Sequence, residues 1–199
     1  MSPSLRPIRS LSGLVVVLLA GGLAACSTPA PSTFDLTAPS DVRAARGSGA
    51  QLVVAAPTAL QVIDSDRIMV RGRAGEVSYL PGVQWADRLP SLVQTRLIQT
   101  FENAHRIGSV GRPDDKIVPD ATLVTEIRSF EIDASAGATA RVEISAKLVG
   151  ESTGRIRAAR LFSAGVPAAG LTGPQASAAL DQALHEVLRD VVAWASPRA

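Results

Sequence analysis

Apolar and polar residues alternate in short runs from Gln51 onward, and twice the pattern switches to a helical period. Gln51-Leu52-Val53-Val54-Ala55-Ala56 is a β-rich run stopped by Pro57, which reads as a strand. Val62-Ile63 and residues 67–71 flank the turn-forming group Asp64-Ser65-Asp66, and residues 76–79 make another short strand ended by Pro81-Gly82. This stretch predicts small antiparallel ribbons. Trp85, Leu89, Leu92, Val93, Leu97, Phe101 and Ala104 then fall three or four apart, one face of a helix. With Asp87 as the N-cap, Pro90 is the third helical residue, where its missing N–H has no partner to lose. The spacing predicts a helix over 88–104, with Trp85 packing just ahead of it.

A polar loop over 111–120 leads to three more strands. Residues 122–132 alternate as Leu123, Thr125, Ile127, then slip phase to Phe130 and Ile132. A one-residue slip turns side chains to the other face, so a bulge is predicted near Arg128-Ser129. In residues 141–149, Val142, Ile144, Ala146 and Leu148 should point inward and Arg141, Glu143, Ser145 and Lys147 outward. The chain turns through 150–154 and returns over 155–164 with Ile156, Ala158 and Phe162 on one side, a hairpin. Thr172-Gly173-Pro174-Gln175 fits a capping box with Pro in the first turn. Leu180, Ala183, Leu184, Val187, Leu188, Val191 and Trp194 form the apolar stripe of a second helix. Two amphipathic helices and a mainly antiparallel β-sheet with one polar face predict an α+β domain over 51–196, with both helices on one face.

The chain ahead of that domain has a different composition. Arg6 and Arg9 precede the apolar run Leu14-Val15-Val16-Val17-Leu18-Leu19-Ala20, and small residues lead into Cys26. Positive, apolar, small, cleavage is the order of an export signal. The uncharged stretch 13–26 is too short for a spanning helix, which needs about 20 apolar residues. Leu23-Ala24-Ala25-Cys26 resembles the lipobox of bacterial lipoproteins at every position. That resemblance implies a signal peptide over 1–25, cleavage between Ala25 and Cys26, and acyl chains (palmitate among them) on Cys26. Residues 26–50, rich in Pro, Ser, Thr, Ala and Gly, read as a disordered tether. Pulled straight, it would reach about 80 Å. Phe34 and Leu36 are exceptions there, since an extended Phe-x-Leu could add to a sheet edge.

Charge removes one class of partner. Of 20 basic residues, Arg6 and Arg9 lie in the signal, which leaves 18 against 18 acids. A nucleic-acid binder usually shows a basic face, and this chain has only short arginine groupings, so no nucleic acid is expected. Cys26 is the single cysteine, so no disulfide within the chain is possible. His105 and His185 lack metal-ligand spacing, and no metal or other cofactor is expected. They read instead as a helix-end residue and part of a solvated face. Gly-x-Ser-x-Gly and phosphate-loop motifs are absent from the sequence, and no catalytic residues are assigned. Arg67 and Arg71 share a strand face by parity, as does Arg73 if the strand continues. They are candidates for contact with anionic headgroups or an acidic partner, beside the ordinary reading of a solvated face. Trp85 and Trp194 read as core or core-edge residues.

Lipobox, tether, the strand ending in Pro57, residues 66–71 ahead of 76–79, Gln84-Trp85-Ala86-Asp87 opening a helix, and Phe162-Ser163-Ala164 before the final helix occur in a telling order. In this order and character the chain resembles the ABC-type transport auxiliary lipoprotein family, the group that includes paraquat-inducible protein C. The resemblance covers roughly residues 51–195. It implies a non-enzymatic, periplasm-facing accessory of an MCE-type ABC lipid transport system. Its partners would be an MCE-domain periplasmic protein with its permease and ATPase, and outer-membrane lipid reached through the acyl anchor. Ser27 follows the cysteine where an Asp would retain the protein at the inner membrane in the usual enterobacterial rule. This favours the inner leaflet of the outer membrane. The competing readings are an assembly lipoprotein of another outer-membrane complex and, last, a lipid-anchored hydrolase. The oligomeric state is left open, a homo-oligomer included.

Overall fold

The structure is a computed structural model that describes residues 29–42, 48–105 and 107–199. The expected signal peptide and lipobox, with Cys26, lie outside the described residues. The folded unit runs from Pro31 to Ala199. Its strands are β1 (Ser32–Phe34), β2 (Ser48–Val54), β3 (Thr58–Ala59), β4 (Met69–Arg71), β5 (Val77–Tyr79), β6 (Val83–Trp85), β7 (Ile107–Gly111), β8 (Ala121–Asp133), β9 (Thr139–Gly150) and β10 (Ile156–Pro167). Helix α1 (Leu89–Ala104) separates β6 from β7, and α2 (Gly173–Ala195) closes the chain.

The architecture is α+β, as the pattern predicts. β8, β9 and β10 form an antiparallel meander in which Val142, Ile144, Ala146 and Leu148 are buried. The phase slip in β8 is a bulge: Ile127 pairs with Ile144 and Ser129 with Glu143, which leaves Arg128 extra. The extra residue keeps Phe130 and Ile132 on the buried side with Leu123 and Ile127.

On its other edge β8 acts as a spine. β2 pairs with Leu52 against Ala121, β3 with Thr58 against Glu126, and β4 with Met69 against Glu131, all three parallel to it. β7 extends the sheet beyond β2, so the long path runs β10-β9-β8-β2-β7, and β5 hangs on β4. Both helices pack on one face, α2 over β8, β9 and β10, and α1 beside it over β2 and β7. Two edge-on aromatic pairs tie the layers, Trp85 with Phe130 at 5.9 Å and Phe162 with Trp194 at 5.5 Å. Both tryptophans are therefore core residues.

Several local expectations are corrected. Among the described residues only β4 and β5 form an antiparallel ribbon in the N-terminal half; β2, β3, β4 and β7 join the sheet in parallel, and β1 and β6 make a separate parallel pair. Val62 and Ile63 lie in the turn with Asp64 and Asp66, not in a strand. The loop expected from Gly111 begins later, because 107–111 is β7, and Trp85 belongs to strand β6. The α1 N-cap is Arg88; the Asp87 carboxylate instead accepts from the Arg88 N–H. The capping box at α2 does not close: the Thr172 hydroxyl meets the Gln175 side-chain oxygen at 2.8 Å, and no side chain caps the backbone.

Candidate functional site

The tether expected over 26–50 is corrected in part, at its described residues. Residues 31–42 are a strap seated on the domain. β1 pairs in parallel with β6, with Ser32 N–H to the Gly82 carbonyl at 2.9 Å and Ala86 N–H to the Phe34 carbonyl at 2.8 Å. The Phe-x-Leu exception thus does join a strand, and Leu36 is wholly buried. Beyond it the strap crosses polar stripes of both helices. Asp181, His185 and Arg189 stand four apart on α2 and so share a face. Asp181 accepts from the Thr37 N–H and hydroxyl at 2.7 Å each. His185 Nε2 lies 2.8 Å from the same hydroxyl, and Arg189 binds the Asp41 carboxylate at 2.6 Å. On α1, Arg96 meets Asp35 at 2.6 Å and Asn103 donates to the Pro39 carbonyl at 3.1 Å.

This seat changes the reading of His185, which holds the strap rather than facing water alone. His105 is the left-handed residue ending α1, as expected of a helix-end histidine. The seat also explains one glycine. A Cβ at Gly173 would come within 2.6 Å of Val83 and 2.9 Å of Phe34, so only glycine lets α2 start against the β1–β6 pair. Arg189 hydrogen bonds hold the Asp41 carboxyl below its ordinary value.

The sheet face away from the helices is open. At the β8 bulge a shallow depression of about 280 Å³ is lined by Ser129, Thr139, Arg141, Glu143, Ser163 and Gly165. A second, of about 240 Å³, lies between Thr58, Glu126, Ser145 and Lys147. Beside the first, Arg71 grips the nearly buried Glu131 with two bonds of 2.7 and 2.8 Å. Those bonds raise the Arg71 guanidinium above its ordinary pKa. Arg141 pairs with Asp133 at 3.2 Å. Hydrogen bonds from Ser135 hold the Asp133 carboxyl below its ordinary value.

The arginine face expected at 67, 71 and 73 does not form. Arg71 ends β4 with its charge matched by Glu131. Arg67 precedes the strand and stacks 3.8 Å from the Tyr79 ring centroid. Arg73 lies in a 3-10 turn and donates to the Ser135 carbonyl at 3.2 Å. Parity misleads here because β4 is only three residues long. The depressions hold mixed charges. Among the described residues, no group of three His, Cys, Asp or Glu is placed to hold a metal ion, and no helix is long and apolar enough to cross a membrane.

The fold and much of the sequence recur elsewhere. Residues 34–192 match the family of the ABC-type transport auxiliary lipoprotein component. A crystal structure of a Xanthomonas campestris protein, from a family of unknown function, shares 30% identity over 83% of this chain and 95% of its own, with a TM-score of 0.77. A second, uncharacterized protein of solved structure has the same fold at 13% identity, with a TM-score of 0.67 and coverage of 83% of this chain and 99% of its own. An uncharacterized protein of Bradyrhizobium diazoefficiens is 29% identical over 163 residues, 81% of this chain. The aligned part is 44% of that relative's length.

Proposed function

Because the chain belongs to the ABC-type transport auxiliary lipoprotein family, we propose that it is a lipid-anchored, non-catalytic accessory of an MCE-type ABC lipid transport system. Acyl chains on Cys26 hold it in the inner leaflet of the outer membrane, and the domain docks the periplasm-spanning MCE protein there. Each buried methylene contributes about 0.8 kcal/mol of membrane affinity, so two or three long chains make a lasting anchor. One observation carries the reading: the family match runs from the strap to the last turns of α2, nearly the whole folded unit, directly behind a lipobox. The shallow, open depressions fit a docking role better than turnover of a small substrate, which needs an enclosing cleft.

Two measurements test it. Intact-mass spectrometry of the protein from native envelopes should find residues 1–25 removed and Cys26 acylated. Affinity purification after crosslinking in the envelope should recover an MCE-domain protein with its permease and ATPase. A bare thiol would end the anchoring reading, and recovery of some other outer-membrane machine in their place would end the transport reading.

A further inference from the structure

The last strand of the sheet path ends in the open. β10 is 12 residues long, pairs with β9 on one side and, among the described residues, has no strand on the other. Every second residue along such an edge turns its N–H and C=O outward, unpaired. Natural edges of this length are shortened, bulged or charged to stop stray pairing. β10 is charged, and bulged at Arg157 near its start, yet it also exposes large apolar side chains, Ile156 at 57% and Leu161 at 47%. A strand guarded only against pairing would not display them.

The charge on this edge has one sign. Between Glu151 and Asp181 the sequence contains Arg155, Arg157 and Arg160 and no acid. All three are exposed. Among the described residues none of them is ion-paired; Arg157 donates to the carbonyls of Asp120 and Arg198, and Arg160 lies over the Phe162 ring. On the neighbouring strand Lys147 stands opposite Ala159, and the first carboxylate, Glu143, stands further along opposite Ser163. Two copies joined edge to edge through β10 would share a ribbon carrying six arginines and no compensating carboxylate.

We propose that β10 is a docking edge for an extended, acidic segment of a partner protein, which adds as a further strand. Its backbone would satisfy the outward N–H and C=O groups, its carboxylates would meet Arg155 and Arg160, and its apolar residues would cover Leu161. This is strand addition with charge selection. The proposal does not depend on the anchoring or transport reading, because it concerns only the folded unit.

The probe is a fluorescein-labelled ten-residue peptide alternating valine and glutamate, titrated by anisotropy into the full-length protein. Its controls are a valine–lysine counterpart and a valine–glutamate peptide interrupted by two prolines. The acidic peptide should bind at least tenfold more tightly than either control and should slow amide exchange along β10. The doubly substituted Arg155→Glu, Arg160→Glu protein should lose that preference, and the milder Arg160→Gln should weaken it, both with an unchanged circular dichroism spectrum. Equal binding of the proline-interrupted peptide would reduce the edge to a charged surface and overturn strand addition. Preference for the lysine peptide, or no binding, would overturn the proposal outright. Self-association by sedimentation that the same substitutions abolish would assign the edge to a second copy, and overturn it equally.

Discussion

The meander β8–β10 and the short strands β1–β7 share one molecule but are specified in different ways. The meander consists of 12- and 13-residue strands joined by tight turns, and each side chain's neighbour is close in sequence. Strands β1 to β7 have two to seven residues, and most pair in parallel with partners far along the chain. Such strands cannot stand alone, because too few residues bury too little surface to offset their ordering entropy. They are held by β8, by the helices above them, and at Glu131 by a charge pair. In the contrast, the meander is the part specified by local pairing, and the short strands are placed by what they pack against.

That contrast can be broken at graded cost. Ile144 is wholly buried at the centre of the meander, and Ile144→Ala should cost about 2–5 kcal/mol. Urea unfolding should show this as a lowered midpoint of one cooperative transition. Next is Arg71→Leu, which strands the Glu131 carboxylate. Breaking a buried pair costs about 3–5 kcal/mol, and with Arg71 39% exposed we expect about 2–3. Replacing both residues by Met should recover most of the loss, an outcome absent if the pair were only a surface contact.

Gly173→Val should act locally. Overpacking of this kind costs about 1–3 kcal/mol, and the clash falls on Phe34 and Val83. Amide exchange should quicken over 32–42 and stay unchanged in β9. The smallest effect is pH-dependent. Asp41 is more acidic in the folded chain than its ordinary value. Its contribution is therefore present above the unfolded carboxylate value and is lost as pH falls through the lower, folded one. Exchange near Asp41 should rise below about pH 4, and Arg189→Ala should remove that dependence.

The same contrast decides what the sequence could reveal. Period-two alternation exposes β9 and its inward face, and the slip at Phe130 places the bulge near Arg128-Ser129, where the register shifts. β7 was hidden because Ile107-Gly-Ser-Val-Gly lacks alternation, and its parallel partner lies near residue 50. The strap was hidden by averaging. Its composition reads as disordered, yet Asp35, Thr37 and Asp41 all meet particular side chains 61 to 148 residues away. Spacing offered a faint signal, since Asp181, His185 and Arg189 repeat at four, but nothing in that repeat names its occupant. The arginines misled because parity presumes a strand longer than β4.

The burial of Leu36 sets how far this protein can roam. With the acyl anchor proposed at Cys26, five peptide steps remain before Pro31, a leash of at most about 18 Å. If the chain is anchored as proposed, any partner would have to come down to the bilayer surface to be met, because the domain would have too little slack to rise and fetch it.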